Sequence, residues 1–357
     1  MINVTKPYLP NIERYKKYID RIYDTNWLTN DGPLVRELEE RLKEYLGVKN
    51  IVLVSNGTLA LQIAYRLLDL KGEVITTPFS FVATASSLTW EHIEPVFADI
   101  DDTTFNIDTR KVEEKINEKT SAIVPVHVFG NACDVESLEA LATKNSLKIV
   151  YDAAHAFGVK YKNKSVLEYG DISTLSFHAT KLFHTIEGGA LVFNDDDLYV
   201  KAKRMINFGY DNWEIRALGI NAKMNEFQAA MGLSHLDDMD EILDKRKALY
   251  RGYTDGLKDY VGFQELNPDC SYNYSYMPIL MGSEQQTLNV VSLLNSKDIY
   301  PRRYFHPSLD TVQYISSEQV MDVSRDISSR ILCLPIYPDL AFDEQATIIN
   351  TIIKAMD

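Results

Sequence analysis

The first two-thirds of the chain alternates short apolar runs with helix-length stretches, and no other feature constrains the fold as much. Ile51-Val-Leu-Val54 has the length and composition of a buried strand, and Leu59, Ile63 and Leu67 follow it at helical spacing. Before it, Leu34, Leu38, Leu42 and Tyr45 mark a helix that Gly47 stops. Further strand candidates are Val74-Ile-Thr76, Ala122-Ile-Val-Pro-Val126, Lys148-Ile-Val-Tyr151, Thr174-Leu-Ser-Phe177 and Ala190-Leu-Val-Phe193. Strands separated by helices need crossover connections, which predicts an α/β fold with a mostly parallel sheet covered on both faces. Ligands of such sheets collect beyond the carboxyl ends of the strands. Chemistry is therefore to be sought just after each apolar run.

The texture changes near residue 235. A charged helical stretch from Asp237 to Lys258 leads into a region punctuated by Pro268, Pro278, Pro301, Pro307, Pro335 and Pro338, and a last helix is predicted from Phe342 to Met356. The division expected is a large domain over 1–235 and a smaller α+β domain over 236–357, joined through a helix near Met224 to Leu236. A length of 357 residues suits two such domains.

With 37 Lys and Arg against 51 Asp and Glu, the chain carries a net charge of −14. That is a poor electrostatic partner for nucleic acid or an anionic membrane surface, and no cluster of basic residues reverses it. An anionic substrate must be caught by a few local cations. Cys133, Cys270 and Cys333 are odd in number and widely spaced, which argues against a disulfide framework or a structural zinc site and leaves buried reduced thiols. No apolar run approaches the length of a membrane span, and the N-terminus lacks a signal-like apolar segment, so the expected location is the cytoplasm.

Four features stand at strand ends. Ser55-Asn-Gly-Thr58 opens a helix: its N–H groups and the Thr58 hydroxyl suit a phosphate, with Gly57 allowing a tight turn, although the same residues also make a plain helix cap. Phe79-Ser-Phe81 offers an aromatic face to a flat ligand, or simply core. Asp152, in Tyr151-Asp-Ala-Ala-His155, closes an apolar strand, where a carboxylate either caps a turn or meets a cation. Lys181, five residues after Ser176, lies in a loop ahead of Ile186-Glu-Gly-Gly189. A lone lysine is usually a solvated charge, yet one whose amine is deprotonated by its surroundings condenses with an aldehyde. Gly188 and Gly189 permit close backbone approach. Each signal is weak by itself. In this order they supply a phosphate cup, a stacking face, a partner for a pyridinium nitrogen and an amine for an aldehyde, which together are the needs of pyridoxal phosphate.

On these residues the chain resembles the sugar aminotransferases of the DegT/DnrJ/EryC1/StrS family over nearly its whole length. The markers are Asp31-Gly-Pro33, Ser55-Asn-Gly-Thr58, Pro125-Val-His-Val-Phe-Gly130, Asp152-Ala-Ala-His155, Ser176-Phe-His-Ala-Thr-Lys181, Glu187-Gly-Gly189 and Gly219-Ile-Asn-Ala-Lys-Met-Asn-Glu-Phe-Gln-Ala-Ala230. The segment around Lys181 is most similar to thymidine-diphosphate-sugar 4-aminotransferases of the VioA type. The resemblance implies the aspartate-aminotransferase-like architecture called fold type I, pyridoxal 5'-phosphate as cofactor, a nucleotide-linked keto-sugar as amino acceptor and glutamate as donor. It implies that Lys181 carries the cofactor and moves protons, and that Asp152 pairs with the pyridine nitrogen. By the same resemblance His155, where the family commonly has Gln, lies near the ring oxygen. Phe81 stacks on the ring, and Gly57, Thr58 and Ser176 bind the phosphate. Asn221 matches a residue that reaches into the neighbouring subunit's site, so a homodimer with composite sites is expected. Arg302 and Arg303 are candidates for the sugar nucleotide's diphosphate, in competition with a solvated surface turn, and Lys223 is a further candidate across the interface.

Two departures from the family bear on the sugar. The Pro-Leu-His segment of many relatives is replaced by Tyr304-Phe-His-Pro-Ser-Leu309, which displaces His306, and the Gly ahead of Glu-Gly-Gly is Ile186. Two rival functions share the fold. A dehydratase carries His where Lys181 stands. A regulatory relative has no need to retain Lys181, Asp152, Ser176 and Asn221 together.

Overall fold

The computed structural model describes residues 1–315 and 319–356. Its centre is a seven-stranded sheet. In chain order the strands are β1 (Asn50–Val54), β2 (Glu73–Thr76), β3 (Glu94–Phe97), β4 (Thr120–Val124), β5 (Lys148–Asp152), β6 (Ile172–Ser176) and β7 (Gly189–Phe193). In space they run β1-β7-β6-β5-β4-β2-β3, and only β7 is antiparallel to its neighbours. This is the expected mostly parallel α/β sheet. The strand candidates named above fall on β1, β2 and β4 to β7. β3 was not foreseen, because Glu94-Pro-Val-Phe97 is short, contains a proline and shows no apolar run.

Both faces of the sheet are buried, as crossover helices require. Successive residues alternate between two cores: Ile51, Leu53, Ile75, Ile123 and Ile149 pack on one face, and Val52, Val54, Val74, Ala122 and Val150 on the other. Helix α1 (Pro33–Leu46) covers the first face with Leu34, Leu38 and Leu42, and ends at Gly47 with φ 66°. Helix α2 (Gly57–Leu67) covers the second with Ala60, Ile63 and Ala64. The start of α1 explains two distant motifs at once. The buried carboxylate of Glu226, on helix α3 (Glu226–Leu236), accepts the Leu34 and Val35 N–H groups at 2.8 and 3.0 Å. A Cβ on Gly32 would stand 2.5 Å from that carboxylate, so the glycine before Pro33 is needed for approach.

Beyond the sheet, helix α4 (Met239–Leu257) contributes Met239 and Ile242 to the main core, and Leu249, Tyr253 and Leu257 to a third core with Met277, Ile279, Leu332 and Ile348. The change of core thus falls inside α4. The third core includes helix α5 (Phe342–Met356), which matches the expected last helix. Strand Pro278–Leu280 pairs with Ile331–Cys333, while the N-terminal Ile2–Asn3 pairs with Ile299–Tyr300. The first residues of the chain therefore lie with its last third. No helix among the described residues is long and apolar enough to cross a membrane, and none of their acidic, His or Cys side chains cluster in a way that would hold a metal ion. All three cysteines are free; Cys133 and Cys333 are buried and Cys270 is half-buried.

Candidate active site

A cavity of about 330 Å³ opens at the carboxyl edge of the sheet. Four strand ends feed it. Asn56, Gly57 and Thr58 follow β1; Ser80, Phe81 and Thr84 follow β2; Asp152 and His155 come at the end of β5; Ser176 and Lys181 come at the end of β6. The structure brings Lys181, Asp152, His155, Phe81, Gly57, Thr58 and Ser176 together around one space.

The cup between α2 and β6 is suited to an anion. Asn56 caps α2 with its side chain, accepting the Leu59 N–H at 2.9 Å. Among the described residues, the N–H groups of Gly57 and Thr58 find no protein acceptor. Free N–H groups at a helix N-terminus favour negative charge. Gly57 is needed here for closeness, which corrects the expectation of a tight turn: a Cβ on it would meet the Ser176 Cβ at 2.9 Å. Gly189 is similar. It pairs with Val54 and with Ser176, and its own Cβ would lie 2.8 Å from the Gly57 nitrogen.

Asp152 is buried at the cavity floor. Its carboxylate accepts the Thr84 hydroxyl at 2.7 Å and the Ala154 N–H at 3.1 Å. Burial pushes its pKa up, while those two hydrogen bonds and the Lys181 charge pull it back. Thr84 in turn is 2.8 Å from the Ser80 hydroxyl. Lys181 donates to the Tyr276 hydroxyl at 3.2 Å. Burial lowers its pKa to about 8, with the Asp152 charge opposing the shift. A good part of this amine is therefore neutral near pH 8, as a lysine nucleophile or proton carrier requires.

His155 is buried with its ring parallel to Phe305 at 5.6 Å, and its Nδ1 accepts the Phe129 N–H at 3.2 Å. Burial, helped by the Lys181 charge, holds its pKa well below the usual histidine range. The ring is neutral, and since Nδ1 accepts, Nε2 carries the proton. Of the two aromatics in Phe79-Ser-Phe81, Phe79 is core, packed edge-on against Phe105, Phe129 and Phe305. Phe81 is exposed on the cavity wall.

The remaining candidates lie elsewhere. Arg303 is committed to Glu284 at 2.7 Å and to the Ser329 carbonyl at 2.8 Å, whereas Arg302 is exposed and makes no ion pair among the described residues. Lys223 stands beside Val54 but donates to Asn207 at 2.8 Å and lines a second cavity with Glu39 and Lys203. Asn221 is exposed, bridged to Asn207, and outside its own chain's cavity. His306 also lies outside it, exposed. Met224, just ahead of α3, and Met231 within it are buried, while Phe227 on the same helix is exposed. Ile186 adopts φ 70°, which explains why a glycine would be at ease there. Sequence reasoning missed Thr84, Tyr276 and Tyr304. Nothing in their local pattern marks them, and the fold alone brings Tyr276 and Tyr304, about a hundred residues later, onto the wall opposite the sheet edge.

A buried carboxylate and a lysine that deprotonates readily, beside an anion cup at the end of a mostly parallel sheet, are what an aminotransferase of fold type I would use, and comparison with known proteins gives that class. Residues 11–353 match the DegT/DnrJ/EryC1/StrS aminotransferase family, and the chain belongs to that family. It is 45% identical to a dTDP-4-amino-4,6-dideoxy-D-glucose transaminase of Shigella dysenteriae, over 98% of each chain. A transaminase of the same name from Escherichia coli is 40% identical over 95% of this chain and 94% of its own. The solved structure of DesI in the presence of its TDP-sugar product superposes with a TM-score of 0.92 at 32% identity, over 99% of this chain and 93% of that one. The family and its structural neighbours are aminotransferases of the pyridoxal-phosphate-dependent class.

Proposed function

We propose that this enzyme transfers the amino group of L-glutamate to C4 of dTDP-4-keto-6-deoxy-D-glucose, forming dTDP-4-amino-4,6-dideoxy-D-glucose for deoxyamino-sugar synthesis of the surface-glycan or O-antigen kind, with pyridoxal 5'-phosphate held at Lys181. The observation that carries this reading is the near full-length likeness to two transaminases named for that product. The residues present fit the cofactor. Its phosphate would meet the free N–H groups of Gly57 and Thr58 and the hydroxyls of Thr58 and Ser176. Ser176 comes close enough to share that phosphate because Gly57 has no side chain: a Cβ there would clash with it. Asp152 would balance a protonated ring nitrogen, His155 Nε2–H would face the ring oxygen, and Phe81 would cover one ring face.

When bound, pyridoxal phosphate supplies an aldehyde that takes up the amino group and a conjugated ring that holds the electron pair of a broken C–H bond. The chain does the rest. Asp152 keeps a fixed negative charge at the ring-nitrogen end, braced by Thr84 and Ala154. Lys181 Nζ, neutral for part of the time, accepts a proton from the donor's carbon and returns it. Tyr304 and Phe305 close the opposite wall against water. Arg302, which makes no ion pair among the described residues, is the better of the two arginine candidates for the diphosphate, since Arg303 is engaged by Glu284. Residues 1–235 hold the cofactor, and 236–357 supply the facing wall.

The working unit in this reading is a homodimer. Asn221 is exposed outside its own cavity, and Trp213, Ile215, Leu218 and Ile220 beside it expose apolar side chains that a second copy would cover. Asn221 then completes the partner's phosphate site, with Lys223 close behind it. Mixing inactive Lys181→Ala and Asn221→Ala chains should restore activity through one intact composite site; a fully active monomer contradicts the sharing.

The substrate is tested by incubating the cofactor-loaded enzyme with glutamate and thymidine- or guanosine-linked 4-keto and 3-keto 6-deoxy sugars, with products identified by mass and NMR. The expected product is the thymidine-linked 4-amino sugar. Amination of the 3-keto or guanosine-linked sugar in its place would overturn the substrate while leaving the enzyme class intact.

A further inference from the structure

Tyr276 is the only group to which the Lys181 amine is hydrogen-bonded among the described residues. It sits 9% exposed in the cavity wall, although it belongs to the part of the chain that packs on the third core. Several bonds hold it there. Asn273 donates to the His155 and Phe157 carbonyls at 2.8 and 3.0 Å, and its own Oδ1 accepts the Ser275 hydroxyl at 2.7 Å and the Ser275 N–H at 3.1 Å. The buried Arg246 guanidinium donates to the Tyr274 and Ser275 carbonyls, both at 3.2 Å. The Tyr276 ring itself packs 4.6 Å from His155 and 5.4 Å from Phe129. The stretch just before Tyr276 is thus fixed to the loop after β5 and to Arg246 of α4, and the phenol oxygen is delivered to Nζ.

We propose that Tyr276 is a further catalytic residue, holding the Lys181 amine in position and stabilising the positive charge it gains when it takes up a proton. This rests on the reading of Lys181 as the proton carrier. The balance is simple. While the amine is neutral the phenol O–H donates to Nζ and holds it; as the amine turns its lone pair toward the substrate it gives an N–H to the phenol oxygen instead. That lone pair takes a proton from the donor's α-carbon, whose bonding pair remains with the carbon framework. The resulting ammonium still donates to Tyr276, now through a charge-assisted bond, which is shorter and stronger than a neutral one. The proton is then returned, so no net charge accumulates. Because the bond strengthens as charge develops, it favours the transition state over the ground state. Burial raises the Tyr276 pKa, so the phenol stays neutral and remains an acceptor.

The test is Tyr276→Phe in the cofactor-loaded enzyme. The ring and its packing remain and only the oxygen is lost. Single turnovers with glutamate and with α-deuterated glutamate are followed by the cofactor's visible absorbance. The expected result is a retained visible band, a glutamate half-reaction slowed by roughly tenfold or more, the scale of one lost charge-assisted hydrogen bond, little change in glutamate affinity, and a larger deuterium isotope effect as proton transfer becomes limiting. An unchanged rate, or a slower one with an unchanged isotope effect, overturns the proposal. Absence of the visible band in the parent enzyme would instead overturn the cofactor reading beneath it.

Discussion

The two walls of the cavity differ in how they are built. The sheet edge presents Gly57, Thr58, Asp152, Ser176 and Lys181, each within a few residues of a strand end. Its geometry follows from backbone register: Gly189 lies between Val54 and Ser176 and pins α2 to β6. The opposite wall, Tyr276, Tyr304 and Phe305, comes from irregular chain that side-chain bonds from Asn273, Ser275 and Arg246 help to fix. Chemistry common to many substrates belongs on the first wall. Features that distinguish one sugar nucleotide from another belong on the second, where loops vary without disturbing the sheet.

Substitutions on the two walls should therefore fail differently. Lys181→Ala should have the largest effect, abolishing turnover while the fold persists, because among the described residues the side chain's one hydrogen bond is to Tyr276. Circular dichroism and melting temperature, measured beside activity, check this. The same lysine sets a pH dependence. Its folded-state pKa is lowered to about 8 and its neutral form is the reactive one, so recapture of pyridoxal phosphate by cofactor-free protein should slow as pH falls below about 8 and level off above it. A group with a depressed cationic pKa favours the folded state more as pH rises, so Lys181→Ala should gain most in stability, relative to the parent, at lower pH.

Asp152→Asn comes next. In the proposed reading it removes the charge that would face the ring nitrogen, at nearly constant volume, and breaking a buried pair of opposite charges costs roughly 3–5 kcal/mol. Most activity and part of the cofactor retention should be lost, as read by turnover and by dialysis of the visible band. Near-normal activity would leave the electron-sink role without support.

The arginines sharpen the contrast on the second wall. Arg302→Ala should raise the KM for the sugar nucleotide by about tenfold, or 1.4 kcal/mol, and leave the glutamate half-reaction unchanged. Arg303→Ala should instead lower the melting temperature, since its guanidinium joins Glu284 to the Ser329 carbonyl. Equal KM effects from both would place the diphosphate differently. The smallest effect is expected at Ile186. A β-branched residue at φ 70° is strained, and Ile186→Gly should stabilise the protein by about 0.5–1 kcal/mol, the relief of a left-handed conformation less the entropy cost of glycine. Thermal melting would reveal it; a loss of stability would mean that the Ile186 side chain contributes more than its backbone costs.

The first wall was legible in the sequence and the second was not, for physical reasons. Ile51 to Val54 and Lys148 to Tyr151 announce buried strands, and a polar residue directly after such a run is conspicuous, so Asp152 and Ser55 to Thr58 stood out. Lys181 was read through Ser176 and the glycines after it. Tyr276 lies among other tyrosines in Tyr272-Asn-Tyr-Ser-Tyr276, and what singles it out is the tertiary bonding of Asn273 to the His155 loop and of Lys181 to its hydroxyl. Thr84 looked like an ordinary helix residue until its hydroxyl met Asp152. The closeness that Gly57 serves is not legible locally, because its approach to Ser176 depends on β6 lying one strand away across β7. Arg302 and Arg303 read alike in sequence. The structure separates them through Glu284.

The central claim is that Lys181 carries the cofactor at the sheet edge, and chemical trapping tests it most directly. The enzyme loaded with pyridoxal phosphate is reduced with borohydride, digested and mapped by mass spectrometry. The account predicts a single pyridoxyl group on the peptide containing Lys181, absent when the enzyme is first treated with glutamate so that the lysine is released. A label on any other lysine, or none on a protein that has taken up the cofactor, would contradict it.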